Sequence, residues 1–372
     1  VWKGTTLRTR RRVDREPARR RSGGRVESKQ VRERRLGKYT LERPIASGGM
    51  GEVHLASASG PDGVARAVAI KFLRPELVAS HQGRELFLQE GLALAALDHP
   101  NIVQVIELAS EEDDLYLVME YLDGVDLGRV MKREGALPWR LAVYVVAEAA
   151  RGVAAAHARR IVHGDVTPSN VFLCAGGTVK VLDFGLARPA GPQSATFSRQ
   201  RGVSASRGAP SRAVPEGGGV RGKLPYLPPE VLLGGAADQL ADVYGLGAVL
   251  HECLTGQPLF RAGNDPETVW RALRDPVPRP SELADVPPEL DKVVAAAMAR
   301  DQSARTRSAG GLADQLEASL AGGFTAHDLA RWLPDRIAAA NQPLPPTGPA
   351  QPPARKRLGP VAWIARLRAA LK

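Results

Sequence analysis

The stretch Ile161-Val162-His163-Gly164-Asp165-Val166-Thr167-Pro168-Ser169-Asn170 decides how this chain is read. It sets one carboxylate, Asp165, five residues ahead of one carboxamide, Asn170, in a polar loop. The Ala-rich run Leu141 to Ala158 leads into that loop, and the short apolar run Val171-Phe172-Leu173 follows it. Loops held between rigid elements are favoured places for reactive groups. Thirteen residues past Asn170 comes Asp183-Phe184-Gly185, at the end of the strand-like Val179-Lys180-Val181-Leu182. Two carboxylates and a carboxamide suit a magnesium ion and a phosphate, because hard cations take oxygen ligands.

Upstream, Tyr39 to Ile45 reads as a strand, Ala46-Ser47-Gly48-Gly49-Met50-Gly51 interrupts it, and Glu52-Val53-His54-Leu55 resumes the alternation. That pattern predicts a hairpin cornered by glycines, whose Cβ-free backbone can close over phosphates. A glycine-rich turn alone is more often only a turn. Val64 to Leu73 is the next expected strand, with Val68, Ile70 and Phe72 on one face and Ala67, Ala69 and Lys71 on the other. A lysine sharing a face with two alanines points where something small or flat fits. From about Gln82 to Leu97, the residues Phe87, Glu90, Leu94 and Leu97 recur at intervals of three, four and three, which predicts a helix with Glu90 on its apolar stripe. An inward carboxylate is costly unless paired, and Lys71 is the natural cation.

In this order the residues resemble the eukaryotic-like protein kinase family, whose catalytic loop reads His-Arg-Asp-x-x-x-x-Asn and whose metal motif reads Asp-Phe-Gly. The resemblance runs from about Tyr39 to Leu320 and implies an α+β, two-lobed fold. A small antiparallel-sheet lobe would span 37–122 and a larger, mainly helical lobe 123–320, with an activation segment, 183–230, ending at Pro228-Pro229-Glu230. The implied reaction is transfer of the γ-phosphoryl of ATP, with Mg²⁺, to Ser or Thr hydroxyls of a protein substrate in signalling.

By the same resemblance Asp165 accepts the hydroxyl proton, Asn170 and Asp183 hold Mg²⁺, and Lys71, paired with Glu90, fixes the α- and β-phosphates. Ile45, Ala46, Gly48, Gly51, Val53 and Ala69 would enclose the nucleotide, Ala46 standing where the family carries its first glycine. Met119 would guard the pocket, and backbone groups of Glu120 and Leu122 would hold the adenine edge. Asp126 would lie near the ribose, although it reads equally well as the N-cap of a helix from Leu127 to Lys132. Asp242 would brace the catalytic loop from below, and Arg305 would pair with Glu230.

Three positions depart from the family pattern. Gly164 replaces the arginine that answers a phosphate on the activation segment, which predicts activity without strict need of loop phosphorylation. Thr167 stands where Ser/Thr kinases carry a lysine beside the transferred phosphoryl group, and Lys223 stands where they carry a threonine touching that lysine. The two changes read as an exchange, with Lys223 as a catalytic residue supplying the charge missing at Thr167.

Two rival readings remain. His163-Gly164-Asp165 also resembles small-molecule phosphotransferases of the aminoglycoside and choline kinase type, which lack the segment ending in Pro-Pro-Glu. The other is an ATP-binding pseudokinase scaffold, against which Lys71, Glu90, Asp165, Asn170 and Asp183 are all retained.

The 372 residues are enough for two lobes with tails. The net charge of +11 is concentrated at the ends. Residues 1–36 form an Arg-rich arm with too little apolar surface to offset ordering, expected to be disordered and read as a solvated tail rather than a nucleic-acid or membrane contact. A helical extension is expected over 321–340, a Pro-rich linker over 341–356, and a basic amphipathic tail over 357–372 that would lie on an acidic membrane surface, dock a partner, or fray. The polar segment 186–222 carries Ser194, Thr196, Ser198, Ser204, Ser206 and Ser211, which are autophosphorylation candidates or simply linker hydroxyls. Cys174 and Cys253 match no metal-ligand spacing and read as reduced, and no uncharged apolar run is long enough to span a bilayer, so a cytoplasmic protein is expected.

Overall fold

The computed structural model describes residues 34–48, 51–59, 65–111, 114–184, 188–189, 223–320, 323–340 and 342. The tip of the glycine turn (Gly49, Met50), Gly185, the hydroxyl-bearing segment 190–222, most of the basic arm, and nearly all of the Pro-rich linker and tail lie outside the described residues.

The small lobe is a six-stranded antiparallel sheet of β1 (Arg35–Leu36), β2 (Tyr39–Ser47), β3 (Gly51–Ser59), β4 (Ala65–Leu73), β5 (Val105–Glu111) and β6 (Asp114–Glu120). Its spatial order is β1-β2-β3-β4-β6-β5. Arg35 and Leu36, expected within the basic arm, instead form β1 and pair with Thr40 and Tyr39, because Leu36 has an apolar surface to bury beside Tyr39. The alternation expected in β4 is present. Val68, Ile70 and Phe72 pack with Leu36, Tyr39, Tyr116 and Val118 in a small core on one face.

The opposite face is turned to helix α2 (His81–Ala95), which follows the short α1 (Pro75–Val78). Ser80 caps α2 by accepting the amide proton of Gly83 at 3.3 Å. Phe87 and Leu94 are buried from α2 into the main core, with Leu97 just past the helix end joining them, and Glu90 sits among them at 3 % exposure.

The large lobe is built on α4 (Trp139–Ala158) and α6 (Gln239–Thr255), with α3 (Leu127–Glu134) preceding α4 and the short α5 (Pro229–Leu232) between α4 and α6 in sequence. By length and composition α4 could cross a membrane, yet two-thirds of it is buried inside the protein, as befits the core helix of a globular lobe. Small strands β7 (Gly124–Asp126), β9 (Val171–Cys174) and β10 (Val179–Val181) form one sheet, while β8 (Ile161–Val162) pairs with β11 (Arg188–Pro189). The lobe continues with α7 (Asp265–Arg274), α8 (Pro280–Leu283), α9 (Glu289–Ala297) and α10 (Ala309–Ser319). The helical extension expected over 321–340 is two helices, α11 (Ala326–Trp332) and α12 (Pro334–Ala340). Pro334 has no amide hydrogen and starts the second rather than continuing the first. Leu329 and Leu333 are fully buried, and a Cβ on Gly177 would meet the Ala326 carbonyl at 1.8 Å, so the extension is docked on the lobe.

Candidate active site

Cross-strand neighbours share a sheet face, and the register of β3, β4 and β6 sets two rows along the cleft side. One row is Val53, Lys71 and Leu117; the next is Leu55, Ala69 and Met119. Ala69 is buried there and Met119 partly so, beside the lysine. Ile45 falls at a shift in the β2–β3 register between Pro44 and Ala46, a bulge of the kind that re-aims a side chain. Ala46 pairs with Val53, and the turn closes by a 2.8 Å hydrogen bond from the Gly48 amide to the Gly51 carbonyl. A Cβ on Gly51 would lie 1.8 Å from the Phe72 carbonyl, whereas one on Gly48 would have nothing within 4 Å.

Lys71 Nζ lies 2.8 Å from Glu90 Oε1 and 2.6 Å from Asp183 Oδ1. Burial works against the lysine's charge, but the carboxylates of Asp183 and Glu90 outweigh it and hold the amine protonated above its ordinary range. For Glu90 burial is the larger effect and raises its pKa against the pull of Lys71. Desolvation opposes ionisation of Asp183, and Lys71 more than compensates, so its pKa is lowered. Asp183 is not glycine, yet its φ is 52°, in a region that most side chains avoid. Such an outlier persists only where its surroundings over-determine it. Here the carboxylate meets Lys71 while the next residue, Phe184, is fully buried with its ring 4.5 Å from that of His163.

Asp165 and Asn170 meet as their spacing suggests. The 3₁₀ turn Pro168–Asn170 folds the carboxamide back, so that Asn170 Nδ2 donates to the Asp165 carbonyl at 2.8 Å and to Asp165 Oδ2 at 3.0 Å. With the amide nitrogen so used, Asn170 Oδ1 is the acceptor left for a cation, and Asp183 Oδ2 is the carboxylate oxygen not bonded to Lys71. These are hard oxygens beside a cleft; Mg²⁺ is typically held by one or two carboxylates plus substrate phosphates and water, so the donors fit it. Among the described residues no cluster of three or more His, Cys, Asp or Glu forms a protein-only metal cage. Lys223 Nζ reaches Asp165 Oδ2 at 2.5 Å.

Residues away from the cleft fix this loop. Asp242 accepts the amide protons of His163 at 2.8 Å and Gly164 at 2.7 Å, and His157 Nε2 lies 2.8 Å away. Arg305, whose side chain is fully buried, forks onto both oxygens of Glu230 at 2.7 and 3.2 Å. Both braces match expectation.

Two expected binding residues have other engagements. Asp126 Oδ1 caps α3 by accepting the Arg129 amide at 2.9 Å, and its Oδ2 pairs with Arg129 Nε at 3.1 Å, so the helix-cap reading is realised. The Glu120 carboxylate receives the Gln104 amide at 2.8 Å and Lys180 Nζ at 2.7 Å, while Glu120's own amide donates to the Gln104 carbonyl. Leu122 follows β6 and is partly buried against the main core.

Sequence reasoning missed three positioning groups. His163 accepts the Asp165 amide on Nδ1 at 3.1 Å and has Nε2 2.9 Å from the Leu182 carbonyl, tying the two motifs together. Asn101 bonds Glu148 and the Val179 carbonyl, and Lys180 joins the large lobe to Glu120. Apart from the local bond between His163 and the Asp165 amide, these contacts span 19 or more residues of sequence, where periodicity carries no signal.

The assembly is a two-lobed, nucleotide-cleft fold with an ammonium–carboxylate pair above and a carboxylate–carboxamide pair below. The protein kinase domain family matches residues 39–315, and the chain belongs to that family, whose members use ATP with divalent metal ions. It is 36 % identical over 297 residues to tyrosine-protein kinase MasK of Myxococcus xanthus, covering 76 % of this chain and 43 % of MasK. It is 33 % identical over 343 residues to serine/threonine-protein kinase PknB of Mycolicibacterium smegmatis, covering 88 % and 52 %. The chain thus spans about half the length of these relatives. The crystal structure of the Mycobacterium tuberculosis PknI kinase domain is similar at a TM-score of 0.56 and 25 % identity, covering 77 % of this chain and 98 % of that one.

Proposed function

We propose that this chain is an ATP- and Mg²⁺-dependent protein kinase that phosphorylates Ser/Thr hydroxyls of protein substrates in signalling. The observation that carries the reading is the assembled constellation of Lys71, bonded to both Glu90 and Asp183, facing Asp165 held by Asn170. In this reading Lys71 orients the non-transferred phosphates, Glu90 orients Lys71, and Asp165 takes the proton of the acceptor hydroxyl. Asn170 and Asp183 hold the metal, which supplies Lewis-acid neutralisation of phosphate charge when bound. Ile45, Ala46, Gly48, Gly51, Val53, Ala69 and Met119 line the nucleotide side, and the backbone of Glu120 and Leu122 offers the adenine edge. Asp126 remains beside the cleft as a helix cap, with its ribose role secondary.

The retained segment ending at Glu230, locked by Arg305, favours a protein acceptor over the aminoglycoside- or choline-kinase type of substrate. Complete retention of the ionic cluster favours catalysis over a scaffold role. A Tyr acceptor is the second reading, favoured by the similarity to MasK, which is named a tyrosine kinase, against PknB, named a serine/threonine kinase. Phosphoamino-acid analysis of an acceptor protein after reaction with γ-labelled ATP tests it: phosphoserine and phosphothreonine are expected, and phosphotyrosine alone refutes the Ser/Thr assignment. A cytoplasmic site of action, autophosphorylation within 186–222, and weak membrane contact through the basic ends belong to the same proposal.

A further inference from the structure

Asp165 Oδ2 carries two donors at once, Lys223 Nζ at 2.5 Å and Asn170 Nδ2 at 3.0 Å. The other carboxylate oxygen, Oδ1, takes part in neither bond. A base with one oxygen anchored and one free has its proton-accepting atom chosen for it. Lys223 enters from a segment 58 residues further along the chain, and its side chain is 43 % exposed, whereas Asp165 is buried at 6 %. The ammonium is therefore seated on the carboxylate with part of its surface still open. Thr167 and Lys223 line the same small cavity as Asp165, so the two positions address one space, and the Thr167 side chain brings no charge to it.

Building on the protein kinase reading, we propose that Lys223 is a catalytic residue that supplies the positive charge for the transferring phosphoryl group, and that it reserves Asp165 Oδ1 for the acceptor's proton. In the reaction the acceptor oxygen forms a bond to Pγ as the bond from Pγ to the β–γ bridging oxygen breaks. ADP leaves with that electron pair, and the hydroxyl proton passes to Asp165 Oδ1. Lys223 keeps its proton throughout and offsets charge on the phosphoryl oxygens, an electrostatic role that costs no reorganisation during the step. The charge that the catalytic loop lacks at Thr167 is delivered by the activation segment instead. Chemistry is thereby tied to placement of that segment through one ammonium group.

The test uses the whole chain with Mg²⁺ and γ-labelled ATP in single-turnover transfer to an acceptor protein, comparing wild type, Lys223→Met and Lys223→Arg. Nucleotide affinity is measured alongside with a fluorescent ATP analogue. Lys223→Met is expected to slow transfer on the order of 10²-fold, the usual cost of losing one charge-stabilising donor, with nucleotide Kd held within about threefold. Lys223→Arg keeps the charge and should lose less than about tenfold. An unchanged rate in Lys223→Met overturns the proposal, and so does a rate loss matched by an equal loss of nucleotide affinity. Absence of transfer by the wild type would instead defeat the kinase reading on which it rests.

Discussion

The Gly164 amide donates to Asp242 Oδ1 at 2.7 Å, and Asp242 is 1 % exposed. A helix of the large lobe thus holds the catalytic loop by its backbone. With the His163 amide also bonded to this carboxylate, Asp242→Ala strands one buried and one part-buried donor. A cost of about 3 kcal/mol is expected, or roughly 6–12 °C in Tm, together with slower phosphoryl transfer. Calorimetry of the variant checks this, and a shift under about 2 °C would show that the loop holds its shape unaided.

Gly164 also has no side chain with which to answer a phosphate, and its φ of 74° suits glycine. Treatment with a phosphatase should therefore leave most of the transfer activity in place. A large loss on dephosphorylation would show that another cation reads the activation segment.

The two ends of the glycine turn should respond differently to the same change. Gly51→Ala forces a Cβ to 1.8 Å from the Phe72 carbonyl, so β3 and β4 must separate and Tm should fall. At Gly48 the added methyl meets nothing within 4 Å, so Gly48→Ala should melt like wild type and weaken only nucleotide binding. Thermal melts paired with nucleotide titrations separate the two, and equal melting of both variants would contradict the close approach at Gly51.

His251 provides a pH signature remote from the cleft. Burial pushes its pKa down to about 4, outweighing the hydrogen bond between Nε2 and the Pro278 carbonyl at 3.1 Å. Its ordinary value is 6.5. Between those values the unfolded chain binds a proton that the folded protein refuses, so stability is lost as pH falls from about 6.5 to 4. The full effect is about 3 kcal/mol. Denaturant unfolding across that range should show the slope in the wild type and a flatter one in His251→Gln; parallel slopes would exclude His251 as the source.

Much of this architecture was legible because local rules and tertiary packing agree in it. The alternation of Val68, Ile70 and Phe72 and the three-four-three spacing around Glu90 each mark a buried face, and the structure buries those faces. The meeting of Lys71 with Glu90 followed from the cost of an inward carboxylate. Asp126 shows the limit of a motif: one carboxylate serves a cap as well as a ligand site, and the Arg129 amide was the nearer partner. Lys180 and Glu120 lie 60 residues apart in sequence and on different lobes, so neither strand's pattern announces the other. Leu36 failed as part of a disordered arm because charge dominates its neighbourhood, although a single leucine beside Tyr39 suffices to start the sheet.

Whether Asp165 serves as the base of a protein kinase is decided by phosphoryl transfer with and without its carboxylate. The purified chain is incubated with γ-labelled ATP, Mg²⁺ and an acceptor protein, beside Asp165→Asn at matched nucleotide occupancy. Label is expected on protein from the wild type, with a loss on the order of 10²-fold or more in the variant, the usual worth of a general base. Equal labelling by the two proteins, or nucleotide binding with no transfer by the wild type, would contradict that role.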